Sequence, residues 1–200
     1  MRKTFTYLFT LATLLLSGTS LWAQDMPSPK GKWTFEDVSE LLKPAEGTLQ
    51  LQAATLGNKS ATLCETVAEA GITATDGPIA ENKAILVPKD AALWVALNDE
   101  NASNNYTIQM DFMVENALPY DGLFQTDPTN ANDGDIFVYN NKIGIGSLGY
   151  GGTIANKKWY RLFMVNNGGT FSLYIDGEFI NSNDKNEARF QLAPEGFFLC

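Results

Sequence analysis

No histidine occurs in the sequence. That removes Ser-His-Asp and Cys-His catalysis, histidine-ligated zinc and a histidine pH switch. Acid–base chemistry falls to carboxylates, or less commonly to Lys or Tyr. Hydrolysis of a glycosidic bond with retention needs two carboxyl groups about 5–5.5 Å apart. The best-placed acids are Asp111 and Glu115, in Gln109-Met110-Asp111-Phe112-Met113-Val114-Glu115. They share one face of an extended segment, but four residues at ~3.3 Å each put them about 13 Å apart. Gln109 and Met113 hold the places where a paired carboxylate belongs. Glu36 and Asp37 are adjacent, so a strand would turn them to opposite faces. No catalytic residue is assigned, and the chain as given is not expected to be an enzyme.

Two other groups of residues could bind. Asp127, Asn130, Asn132, Asp133 and Asp135 crowd one stretch. Hard oxygen donors of this kind suit Ca²⁺, with Asp127, Asp133 and Asp135 as the carboxylate ligands. Counting back from Gly134 puts Thr129 and Ala131 where the first ligands of an EF-hand loop belong, so that motif is excluded. The alternative is that Asp, Asn, Gly and Pro simply turn the chain. The second group is Tyr120, Asp121, Gln125, Asn132 and Tyr150. Aromatic faces can stack on the C–H faces of sugars while amides and carboxylates bond hydroxyls. Gly149, Gly151 and Gly152 around Tyr150 would let backbone approach a ligand closely; a flexible connection with one surface tyrosine is the plainer reading. Trp33, Trp94 and Trp159 sit in apolar segments and are expected in the core. Arg161 is expected on a polar face, paired with an acid. Gly144-Ile145-Gly146 lacks the lysine and helix of a phosphate loop.

The elements that must position these residues are strands. Lys32–Phe35, Thr48–Gln52, Ala84–Val87 and Leu93–Leu97 are short and apolar. Tyr106–Glu115 alternates strictly: Tyr106, Ile108, Met110, Phe112 and Val114 take one face. Asn140-Asn141 joins Asp135–Tyr139 to Lys142–Gly146 as a type I′ turn, because Asn tolerates positive φ. Asn167-Gly168-Gly169 joins Trp159–Asn166 to Thr170–Asp176, and Asp176-Gly177 opens a further hairpin into Glu178–Ile180. Only Val38–Lys43 and Val67–Ala70 offer a turn or two of helix. The loops Gln125–Asp135 and Gly149–Gly152 flank one hairpin and are expected to converge at one rim, bringing Tyr150 beside Asp127, Asn132 and Asp133. The fold class is all-β: a two-sheet antiparallel jelly-roll sandwich.

The balance of 14 basic and 23 acidic residues gives a net charge of −9. Such a chain repels phosphates, so no nucleic acid is expected as partner. Arg2 and Lys3 followed by the uncharged run Thr4–Leu16 read as a signal peptide, cut after Ala23, with residues 24–32 an extended leader. That run is too short to span a bilayer, and no other segment approaches the length of a membrane span. Export to a periplasm, cell envelope or extracellular space is expected. Cys64 and Cys200 could form one disulfide in such a compartment, or remain two thiols.

Trp33-Thr34-Phe35-Glu36-Asp37, Gly122-Leu123-Phe124-Gln125-Thr126-Asp127-Pro128, Asp133-Gly134-Asp135-Ile136-Phe137 and Ile143-Gly144-Ile145-Gly146 stand in an order that resembles bacterial laminin-G-like, concanavalin A-type jelly rolls. Trp159-Tyr160-Arg161, Gly169-Thr170-Phe171 and Leu173-Tyr174-Ile175-Asp176-Gly177 are similar to the same family's late hairpin. The resemblance implies one jelly-roll domain over 33–200 and a non-catalytic module that binds a glycan or an extracellular protein. Glycoside hydrolase of that superfamily and adhesion or protein-interaction module are the alternatives. Such domains carry another strand after the segment matching Phe197-Phe198-Leu199, so a truncated C-terminus and a downstream catalytic domain are further expectations.

Overall fold

A computed structural model describes residues 27–37, 39–55, 65–66, 84–88, 91–99, 104–115, 119–129, 134–185 and 188–200. The signal segment, Cys64, Val67–Ala70, Asn130, Asn132 and Asp133 lie outside these residues. The strands in chain order are β1 (Gly31–Lys32), β2 (Glu46–Gly47), β3 (Gln50–Thr55), β4 (Glu65–Thr66), β5 (Ile85–Leu86), β6 (Ala91–Ala96), β7 (Asn105–Met113), β8 (Asp121–Gln125), β9 (Ile136–Tyr139), β10 (Lys142–Ile145), β11 (Gly149–Gly151), β12 (Trp159–Asn167), β13 (Thr170–Ile175), β14 (Glu178–Asn183) and β15 (Gly196–Leu199). A short 3₁₀ turn spans Ala188–Phe190.

These strands build an antiparallel sandwich, the all-β class expected. One sheet has seven strands in the order β11-β10-β9-β8-β15-β6-β3, the other four in the order β14-β13-β12-β7. Two-stranded pairs β1-β2 and β4-β5 complete the described pairing. Alternation explains the layering. Tyr160, Leu162 and Met164 of β12 are buried, as are Phe171, Leu173 and Ile175 of β13. They meet Leu93 and Val95 of β6, Ile136 and Val138 of β9 and Phe197 of β15 in one apolar cluster. The opposite side chains of each strand face outward. The segment Phe197-Phe198-Leu199 is an inner strand, paired with β6 on one side and β8 on the other.

Several local expectations shift. Trp33 and Phe35 follow a two-residue strand rather than lying in one, and Phe35 has φ 57°. Gly31 and Lys32, read as leader, already pair with Gly47 and Glu46. Val38–Lys43 yields turns at 39–43 instead of a helix, because the Asp37 carboxylate accepts from the Ser39 N–H and hydroxyl and Pro44 follows directly. The tryptophans divide. Trp33 packs against the core and its indole N–H donates to the Leu42 carbonyl at 3.1 Å. Trp94 and Trp159 fall on outer faces, since their neighbours Leu93, Val95 and Tyr160 take the inward positions. Cys200 carries a free thiol.

Candidate functional site

At one edge of the seven-stranded sheet, β8, β9, β10 and β11 lie side by side. Ile136 and Val138 point into the core, which turns Phe137 and Tyr139 outward. Register carries that outer face across the sheet. Gly122 stands opposite Phe137, Phe137 opposite Gly144, and Gly144 opposite Tyr150. Tyr139 stands opposite Lys142, and Tyr120 immediately precedes Asp121, the partner of Val138. Three tyrosines from three strands or strand ends therefore share one face.

Their rings touch. Tyr120 and Tyr139 are stacked with centroids 4.3 Å apart and planes 14° from parallel. Tyr139 and Tyr150 meet at 5.5 Å with planes at 53°. Tyr120 also meets Phe137 edge-on at 5.9 Å. Tyr120 is 56% exposed and has φ 65°, a left-handed conformation that costs a non-glycine residue on the order of 1–3 kcal/mol. A hydrogen bond with the Tyr139 hydroxyl raises the pKa of the Tyr120 hydroxyl, while partial burial raises that of Tyr150. Lys142 beside them is exposed. The cluster thus offers flat apolar faces, phenolic hydroxyls and one ammonium group.

The structure divides the residues that the sequence nominated. Tyr120 and Tyr150 gather with Tyr139, while Asp121, the register partner of the inward Val138, falls on the other face. Gln125, Asp127 and Asp135 lie at the other end of the same strands: β8 pairs Asp121 with Val138 and Phe124 with Ile136, so Tyr120 and Gln125 are about 16 Å apart at ~3.3 Å per residue. Gln125 is only 3% exposed and is withdrawn from the surface. The expected meeting of Tyr150 with Asp127 does not occur, because Gly149–Gly151 is a paired strand and not a loop. Its glycines admit a neighbouring strand instead of a ligand. A Cβ on Gly149 would stand 2.7 Å from the Asn181 side chain, and one on Gly151 2.8 Å from Ile180, so β11 closes against β14.

The acidic end has a different character. Asp135 is buried; its carboxylate accepts from the Thr126 N–H at 2.5 Å and faces Arg189 Nη1 at 3.4 Å. Burial dominates and pushes its pKa up to about 6. Arg189 also donates to the Gly134 carbonyl at 3.0 Å, and the Thr126 hydroxyl donates to the Arg189 carbonyl at 2.8 Å. Asp127 accepts from the N–H and hydroxyl of Thr129, a local turn. These residues border a cleft of about 530 Å³. Two of the three nominated Ca²⁺ ligands are thus engaged by protein groups and the third, Asp133, lies outside the described residues; among those residues no group of three or more His, Cys, Asp or Glu side chains is arranged to hold a metal.

Tyr139 was not nominated from the sequence. The signal was present in Ile136-Phe137-Val138-Tyr139 and the two-residue turn after it, which together place Tyr139 opposite Lys142. Arg161 does find its acid: Nε and Nη2 donate to the two Asp111 oxygens at 2.7 and 2.8 Å, between register partners on β12 and β7.

No protein-family model matches the chain, and no curated protein matches its sequence. Among solved structures the chain is similar to domain 4 of AbnA, a GH43 extracellular arabinanase from Geobacillus stearothermophilus, in complex with arabinotriose. The TM-score is 0.54 at 15% identity, over 87% of this chain and 84% of that one. At that identity the likeness is one of fold, a β-sandwich.

Proposed function

We propose that this chain is an exported, non-catalytic module that binds glycans through the outer face bearing Tyr120, Tyr139 and Tyr150. The observation that carries the reading is the contact of the three rings on an exposed sheet face, with Lys142 opposite Tyr139. Stacking surfaces beside hydroxyl and ammonium groups are the chemistry a sugar demands: its C–H faces are apolar and its rim is polar. The similarity in fold to a domain solved with arabinotriose supports the same reading. A non-catalytic role is supported by Asp111, the best-placed acid, whose two oxygens are both held by Arg161. Titration of the purified protein with a panel of soluble oligosaccharides tests the proposal. Binding that Tyr120→Ala and Tyr150→Ala weaken supports it; a panel without binders sinks it.

A second reading, protein interaction, is favoured by the other sheet. Phe163, Tyr174 and Phe179 are register neighbours on the outer face of the four-stranded sheet, and Phe179 is 58% exposed. An exposed apolar row of this kind suits a protein partner.

A further inference from the structure

We infer that the tyrosine face takes a single glycan chain, free of its neighbours, and does not seat on a flat crystalline polysaccharide; this rests on the glycan-binding reading above. A crystalline surface presents coplanar sugar faces, so it can be stacked only by rings whose planes coincide and whose open faces look the same way. The three tyrosines do not meet that condition. The Tyr120 and Tyr139 rings lie against one another, 14° from parallel at 4.3 Å, so each covers a face of the other. Tyr150 is turned 53° from Tyr139, and Phe137 meets Tyr120 at 85°. The faces left open therefore look in different directions.

A single chain satisfies rings at different angles, because rotation about its glycosidic bonds turns successive sugars relative to one another. Chains locked in a crystal lack that freedom. The rings follow one another across the strands from β8 to β11, with centroids 4.3 and 5.5 Å apart, so the ligand lies across the strands. Gly144 carries no side chain opposite Tyr150, which leaves room for the Tyr139 and Tyr150 rings to meet. Tyr139 is a positioning residue in this arrangement. It stacks on Tyr120 and bonds its hydroxyl, and it touches Tyr150 on the other side.

The test compares retention of the purified protein on crystalline cellulose and crystalline chitin with calorimetric titration by soluble arabino-, xylo-, manno- and gluco-oligosaccharides. The expected result is binding to at least one soluble series and no retention on either crystalline polymer. Tyr120→Ala should weaken soluble binding roughly three- to tenfold. Tyr139→Ala should weaken it similarly while the far-UV circular dichroism of the fold is kept, and Tyr139→Phe should restore most of it by rebuilding the stack. Retention on a crystalline polymer that Tyr120→Ala abolishes overturns the single-chain inference and leaves the glycan reading standing. Soluble binding that neither Tyr120→Ala nor Tyr150→Ala changes also overturns it, because the rings would not be in the site. Absence of binding to every probe removes the glycan reading and the inference with it.

Discussion

The rings of Tyr139 and Tyr150 meet at 5.5 Å although a whole strand, β10, runs between theirs. The contact is possible because β10 places Gly144 opposite Tyr150, where any side chain would stand on the same face. Gly144 has φ 147°, and a Cβ there would lie 2.0 Å from the Gly149 carbonyl oxygen. Gly144→Ala should therefore destabilise the fold by at least the roughly 1–3 kcal/mol of a misplaced backbone conformation and separate β10 from β11. Urea unfolding measures the loss. A variant as stable as the parent would show that the two strands are not held this closely.

Tyr150→Ala and Tyr120→Ala should each cost about 0.5–1.5 kcal/mol of stability, the worth of the ring contact with Tyr139, since neither side chain belongs to the core. Each should weaken binding of a glycan ligand by about 0.5–1.5 kcal/mol, the worth of one aromatic contact, or up to roughly tenfold in Kd. Thermal melts and titrations of the same samples separate the two effects. A large fall in melting temperature would make these tyrosines structural and the site assignment wrong.

Much of this fold could be read from local residues. Asn140 and Asn141 both take positive φ, 49° and 59°, as a two-residue turn requires, and Asp176 and Gly177 follow suit at 52° and 84°. The ten-residue alternation around Ile108 and Met110 marks β7 to within two residues. What could not be read was set by distant partners. Gly149-Tyr150-Gly151 has little intrinsic preference for a strand; it pairs because β10 is there to receive it and β14 packs against it. Phe137 and Tyr139 are large and carry apolar rings beside the aliphatic Ile136 and Val138, so alternation alone leaves open which pair faces out. Asp135 resembles a metal ligand in sequence because the residue that faces it, Arg189, is 54 positions away.

The Arg161–Asp111 pair joins register partners through two short hydrogen bonds on the outer face of the four-stranded sheet. Its side chains are 42% and 25% exposed, so water screens the attraction. A double-mutant cycle with Arg161→Ala and Asp111→Ala should give a coupling of about 0.5–1 kcal/mol, the upper range for exposed pairs, because the geometry is bidentate. Near 1 M salt, where the screening length is about 3 Å, the coupling should shrink. A coupling above 2 kcal/mol, or one indifferent to salt, would mean that the pair is far better shielded than its exposure implies.

Asp135 sets a pH dependence whose sign follows from its burial. Its pKa is raised from 3.8 to about 6, chiefly by desolvation. Below pH 4 the carboxyl is protonated in both folded and unfolded chains and imposes no penalty. As pH rises from about 4 to 6 the unfolded chain releases the proton first, so stability falls; above about 6 the folded state also carries the buried charge and the full loss is present. A rise from 3.8 to about 6 corresponds to on the order of 3 kcal/mol. Asp135→Asn removes this titration. The parent should therefore hold its largest advantage over the variant near pH 4, and that advantage should decline by on the order of 1–3 kcal/mol by pH 7, when both are unfolded in urea across the range. In the variant Arg189 keeps its bond to the Gly134 carbonyl and lacks the Asp135 charge at every pH, which affects the offset between the two curves and not their difference in slope. A stability difference that stays flat from pH 4 to 7 would show that Asp135 titrates as an ordinary carboxylate, and a difference that grows with pH would show that Arg189 and Thr126 outweigh desolvation.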